Sequence, residues 1–136
     1  MAASLRERGA RDSVIRAYCA VLRRGGRCRG RAGRREFWSF ALVSVCISVV
    51  LAGLDGMLFS YGRYSGVGLL GGAYVLSVAV PALAVTVRRL HDRARSGWWV
   101  LLVLLPFLGP LGLLLWLSLP GGSGDNRFGP RPPSSR

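Results

Sequence analysis

Three long blocks without a charged residue, 37–54, 67–87 and 98–119, constrain this chain more than anything else in it. A helix needs about 20 predominantly apolar residues to cross a hydrocarbon core of roughly 30 Å. All three blocks approach or exceed that length, and half the chain is apolar without the periodicity of a water-soluble core. The pattern predicts an all-α integral membrane protein. At 136 residues it holds one domain at most: a disordered basic N-terminus at 1–11, one helical membrane domain at 12–130, and a disordered tail at 131–136.

Charge orients these blocks. All 19 basic residues are arginine, a bias expected of a GC-rich bacterial genome, and the net charge is +13. Residues 1–36 hold eleven arginines against Glu7, Asp12 and Glu36, a balance of +8. Residues 88–95 hold four against Asp92, or +3, whereas Asp55 and Arg63 cancel in the loop at 55–65. Cytoplasmic loops carry the arginine excess, so the N-terminus and the 88–97 loop are expected on the cytoplasmic side of the membrane. The 55–65 loop is expected outside. The first block starts too late, and lacks a small-residue cleavage pattern, for a secretory leader.

Ahead of the first block, Val14, Ile15, Tyr18, Val21 and Leu22 recur on one face of a helix. Asp12 or Ser13 is the expected N-cap, and Gly25-Gly26 the stop. A basic amphipathic helix beside a span lies in the membrane interface, held by apolar burial and anionic headgroups. Nucleic acid is the competing partner for so many arginines, but no aromatic interleaving or binding motif accompanies them.

Phe37 and Trp38 open the first span, and Trp98 and Trp99 the third, where aromatic residues suit the headgroup level. Glu36 and Asp55 stand about 28 Å apart along a helix and so bracket the hydrocarbon. Small residues line the first span at Ser44, Ser48 and Ala52, and the second at Gly68, Gly72, Ala73 and Ser77. Such stripes let helices approach closely. They predict packing of the two spans within the chain, with homo-oligomerisation or a partner membrane protein as the alternative use. Pro81 lies inside the second span, where neighbouring groups can satisfy the freed carbonyl. The third block is broken by Pro106 and Pro110. Its length favours one kinked span with the tail outside, and that is the expectation adopted. The tail's charge of +2 favours the alternative, a re-entrant hairpin.

The motifs GRAGRREFW at 30–38, RRLHDRARSGWW at 88–99 and PGGSGDNRFGP at 120–130 resemble those of the small bacterial inner-membrane proteins grouped as domain of unknown function 805. The resemblance covers roughly residues 14–130, with the three motifs in order. Many members carry an aromatic two residues before the GRA, where this chain has Cys28. The resemblance implies a helical fold and a membrane location, and supplies no activity.

The charged residues admit three readings. As structure, Arg88, Arg89, His91 and Asp92 extend the second helix past the membrane surface, Asp92 pairs with Arg88, Arg89 and Arg95 at helical spacing, and Ser96 caps the next helix. As a binding site, Arg88, Arg89, Arg93 and Arg95, joined by Arg31 and Arg34 and oriented by Glu36 and Asp92, form an anion cluster for phospholipid headgroups. As an enzyme, His91 and Asp92 would be a base and its orienter, but no nucleophile motif accompanies them. No cofactor or metal pattern is present, and Cys19, Cys28 and Cys46 lack ligand spacing. The spans contain none of the charges that mark an ion path, so a channel or transporter would need several copies. The expected role is structural or accessory in the bilayer, without catalysis.

Overall fold

The structure, a computed structural model, describes residues 14–58, 68–130 and 132. The expectations for 1–11, for the caps at Asp12 and Ser13, and for most of 131–136 lie outside these residues. Pro132, within the expected disordered tail, is buried. Among the described residues the fold is all-helical, with one isolated bridge between Asn126 and Gly129.

Helix α1, residues 14–24, ends as the glycine pair dictates. Gly25 takes φ 50°, the left-handed conformation that glycine adopts without steric cost, and its N–H bonds the Leu22 carbonyl at 2.9 Å. Val21 is fully buried, and Tyr18 stacks on Phe40 with ring centroids 5.4 Å apart. The Tyr18 hydroxyl meets that of Tyr74 at 3.0 Å. Burial, with that hydrogen bond, pushes the Tyr18 phenol up to about 12, so it remains neutral. Ile15 and Leu22, on the predicted apolar face, stay exposed. Only part of that face is covered by protein.

Helices α2, Arg34–Leu58, and α3, Leu69–Asp92, are long and apolar enough to cross a membrane. They run antiparallel: Ala32 N–H bonds the Arg88 carbonyl at one end, while Asp55 meets Leu70 and Gly71 at the other. Only 17% of each apolar stretch is buried inside the protein. Val45, Val49, Leu76 and Val80 face outward, an arrangement that an apolar surrounding favours and water would not. Helix α3 continues through Pro81.

Asp55 does more than bracket the hydrocarbon. It is fully buried, and its two oxygens accept the N–H groups of Leu70 and Gly71 at 2.9 and 2.7 Å. These are among the donors that the first turn of a helix leaves unpaired, so a carboxylate on α2 caps α3. Gly68 makes this possible, because a Cβ there would overlap the Asp55 side chain.

The third block departs from the expectation of one span delivering the tail to the far side. It divides into a 3₁₀ helix, Gly97–Leu104, and α4, Leu108–Ser118. The two limbs are antiparallel. Gly109 packs on the Leu102 carbonyl, Trp99 meets Trp116 edge-on at 4.8 Å, and Gly122 N–H bonds the Asp92 carbonyl at 3.0 Å. Both ends of the block therefore lie beside the C-terminus of α3. The turn falls at Pro106-Phe107, where Phe107 has φ 64°. Each limb is about 16 Å long, about half a hydrocarbon core. The two prolines that interrupt the apolar run are the physical reason, since each removes a backbone donor and crowds the preceding turn. Ser96 occupies the cap position of the 3₁₀ helix but makes no side-chain capping hydrogen bond there, contrary to expectation.

Candidate functional site: a buried arginine network

The sequence RRLHD forms the last turn of α3, which places Arg89 and Asp92 on one face at i and i+3. The segment leading into α2 is drawn against that turn by the bond from Ala32 N–H to the Arg88 carbonyl, 3.0 Å. Arg31 is thereby aimed at Asp92. Its Nε and Nη2 each lie 2.9 Å from Asp92 Oδ1, and Arg89 Nη1 takes Oδ2. All three side chains are buried.

Two buried guanidiniums on one carboxylate leave a surplus of donors, and the tail supplies the acceptors. Arg89 donates from Nε to the Leu117 carbonyl at 3.1 Å and from Nη2 to that of Leu119 at 2.5 Å. These belong to the carbonyls that end α4, where a cation is also favoured by the helix dipole. Arg31 donates to the carbonyls of Gly122, Gly124 and Gly129 at 3.1, 2.7 and 3.3 Å. Gly121 rests against the Asp92 carboxylate with no room for a Cβ. Burying ionic groups is costly unless they are paired and their remaining donors are satisfied, and here the glycine-rich tail satisfies them.

His91 takes a different path from its neighbour. Its ring stacks on Phe128 at 3.9 Å and 2°, and Nδ1 lies 3.3 Å from the Gly30 carbonyl. Asn126 fixes the loop by donating to the His91 carbonyl at 2.9 Å and accepting the Phe128 N–H at 2.9 Å. With both Asp92 oxygens held by arginines, the base–orienter pair of the enzyme reading does not form. Among the described residues, no three His, Cys, Asp or Glu are grouped to hold a metal ion.

The other candidate residues divide. Arg88 bonds Glu36 Oε1 at 3.0 Å, not Asp92, and Arg24 bonds the same oxygen at 3.0 Å. Arg93 donates to the Pro120 carbonyl at 2.8 Å. Arg95, expected to pair with Asp92, instead lies over the rings of Trp116 and Trp99, 5.1 and 5.7 Å from their centroids. Arg34 is exposed at the first position of α2. Of the four aromatic residues expected at headgroup level, Trp98 and Trp99 are exposed and Trp38 is half-buried. Phe37 is buried in the core with Val21, Phe40 and Leu117.

The tail's part in the network was missed at the sequence level, because carbonyl groups carry no signature in side-chain identity. The density of glycine in PGGSGDNRFGP was the available signal: it marks backbone brought close to another group.

The network joins the three motifs at 30–38, 88–99 and 120–130, and known proteins share that extent of chain. The family described as "Protein of unknown function (DUF805)" matches residues 27–130. Inner membrane protein YhaH of Escherichia coli is 45% identical over 115 residues, covering 85% of this chain and 94% of that one. Inner membrane protein YhaI of the same organism is 37% identical over 115 residues, covering 85% and 93%. Uncharacterized protein YiiR, also from E. coli, is 37% identical over 94 residues, or 68% of this chain and 58% of that one. No solved structure matches. The chain belongs to the DUF805 family of bacterial membrane proteins, whose description assigns no function.

Proposed function

We propose that this protein is a multi-pass structural or accessory component of the inner membrane whose arginine-rich cytoplasmic face engages anionic lipid headgroups. Helices α2 and α3 cross the bilayer, the N-terminus is cytoplasmic, and the third block enters and leaves on the cytoplasmic side. The arginine surplus near residues 1–36 and 88–95 supports that orientation.

One observation carries the lipid reading. Arg31 and Arg89 are turned inward onto the protein's own acceptors, whereas Arg23, Arg27, Arg29, Arg34 and Arg35 are exposed from the end of α1 to the start of α2. An arginine near an anionic membrane surface contributes about 1 kcal/mol. The buried set holds the platform together, and the exposed set meets the membrane. This moves the headgroup contact away from Arg31 and Arg89.

Native mass spectrometry of the extracted protein tests this reading. Replacing Arg27, Arg29, Arg34 and Arg35 together by Gln should lower the ratio of co-purified phosphatidylglycerol to phosphatidylethanolamine. The unfolding midpoint in detergent should stay unchanged. An unaltered lipid ratio would contradict the proposal.

A further inference from the structure

Four guanidiniums, those of Arg24, Arg31, Arg88 and Arg89, share two carboxylates, Glu36 and Asp92. Tail carbonyls absorb the surplus donors of Arg31 and Arg89. Nothing comparable among the described residues serves Arg88. Its side chain is 2% exposed, yet Nε and Nη2 are buried and have no hydrogen-bond partner among those residues. Its ion pair there is with a carboxylate oxygen that Arg24 also uses. A buried donor without a partner is costly, and more so on a charged group. An arrangement with excess positive charge and two idle donors on one planar fork lacks an anion of matching geometry, and phosphate is such an anion.

We infer that Arg88, with Arg24, forms a discrete site for one phosphate group. Arg88 presents Nε and Nη2 as a two-pronged donor, Arg24 closes the site from the last turn of α1, and Glu36 holds both guanidiniums in register. Nε and Nη2 are covered in this conformation, so binding of the anion requires a local movement that uncovers them, and Arg24 reaches the site from an exposed position. The phosphate is that of an anionic phospholipid headgroup or of a free phosphate anion. The headgroup source rests on the proposed lipid-binding face; the site itself does not.

The experiment uses the full chain, delipidated in neutral detergent. Thermal unfolding is followed by tryptophan fluorescence, and lipid retention by native mass spectrometry. The probes are inorganic phosphate, phosphatidylglycerol and phosphatidylcholine, against chloride at equal ionic strength. One phosphatidylglycerol per chain should be retained, with a raised unfolding midpoint. Arg88→Lys keeps the charge and can still reach Glu36 but loses the fork, and should weaken retention about tenfold. Arg24→Gln, at an exposed position, should weaken it about threefold and serves if Arg88→Lys does not fold. Protection by inorganic phosphate as well would assign the site to the phosphate group alone. Protection by phosphatidylglycerol only would assign it to the headgroup. The site is overturned if neither probe acts beyond chloride, or if both variants retain lipid as the parent does. In that event an effect of the Arg27, Arg29, Arg34 and Arg35 replacements would leave the surface reading standing by itself.

Discussion

Arg31 and Asp92, 61 positions apart, are joined through the Arg31 Nε and Nη2 atoms, each 2.9 Å from Asp92 Oδ1, with both side chains buried. This pair fastens the segment ahead of α2 to the end of α3. The remaining Arg31 donors extend the hold to the tail.

Removing the shared carboxylate should therefore undo both ion pairs together. Asp92→Asn preserves the volume but strands two buried guanidiniums, a loss of about 3 kcal/mol or more. The midpoint of thermal unfolding in detergent should fall sharply. Arg93→Gln, which breaks only the bond to the Pro120 carbonyl, should shift it by about 1 kcal/mol or less.

At the opposite end of the helical pair, Asp55→Ala leaves the Leu70 and Gly71 N–H groups without their carboxylate. A lost cap costs about 1–2 kcal/mol. Gly68→Ala should act in the same direction by pushing the Asp55 side chain away. Combining the two should cost less than their sum, because they remove one interaction; a double-mutant cycle on unfolding midpoints measures this.

The tail is held at its far end by the stack of His91 on Phe128. Phe128→Ala should weaken that contact by about 1 kcal/mol. Amide exchange at residues 120–130 should then quicken, with little change in the apolar interior of α2. Uniform quickening throughout the protein would show that the stack supports the whole fold.

Arg95 lies against Trp99 and Trp116, which face one another across the hairpin. Arg95→Gln should lower the unfolding midpoint by an amount matching about 0.5–1 kcal/mol. Arg95→Lys should recover part of it, since the attraction of a cation to the ring face survives.

The helices and the charged motifs were legible in the sequence for different reasons. An uncharged run of sufficient length has few folded forms in lipid, so α2 and α3 followed from residues 37–54 and 67–87 almost directly. The pairing of Arg89 with Asp92 followed from helical spacing. The partners of Arg88 and Arg95 did not, because periodicity places residues on their own helix and says nothing about Glu36 or Trp116 arriving from another. The third block was ambiguous because 22 apolar residues satisfy the length rule for a span, whereas the Pro106 and Pro110 interruptions satisfy the rule for a turn. The Asp92 carbonyl meeting Gly122 decides it, and that contact lies beyond the reach of side-chain pattern.

The central claim is that the third block returns to the side from which it left, so the tail shares a compartment with Arg31. Cys28 is exposed just ahead of Arg31, and a Cβ at Gly124 would meet open space. With Cys19 and Cys46 replaced by Ala, Cys28 and an introduced Gly124→Cys can be labelled separately in spheroplasts by a membrane-impermeant maleimide. Both thiols should be protected in intact spheroplasts and react only after the membrane is permeabilised. Labelling at position 124 with protection at Cys28 would contradict the account.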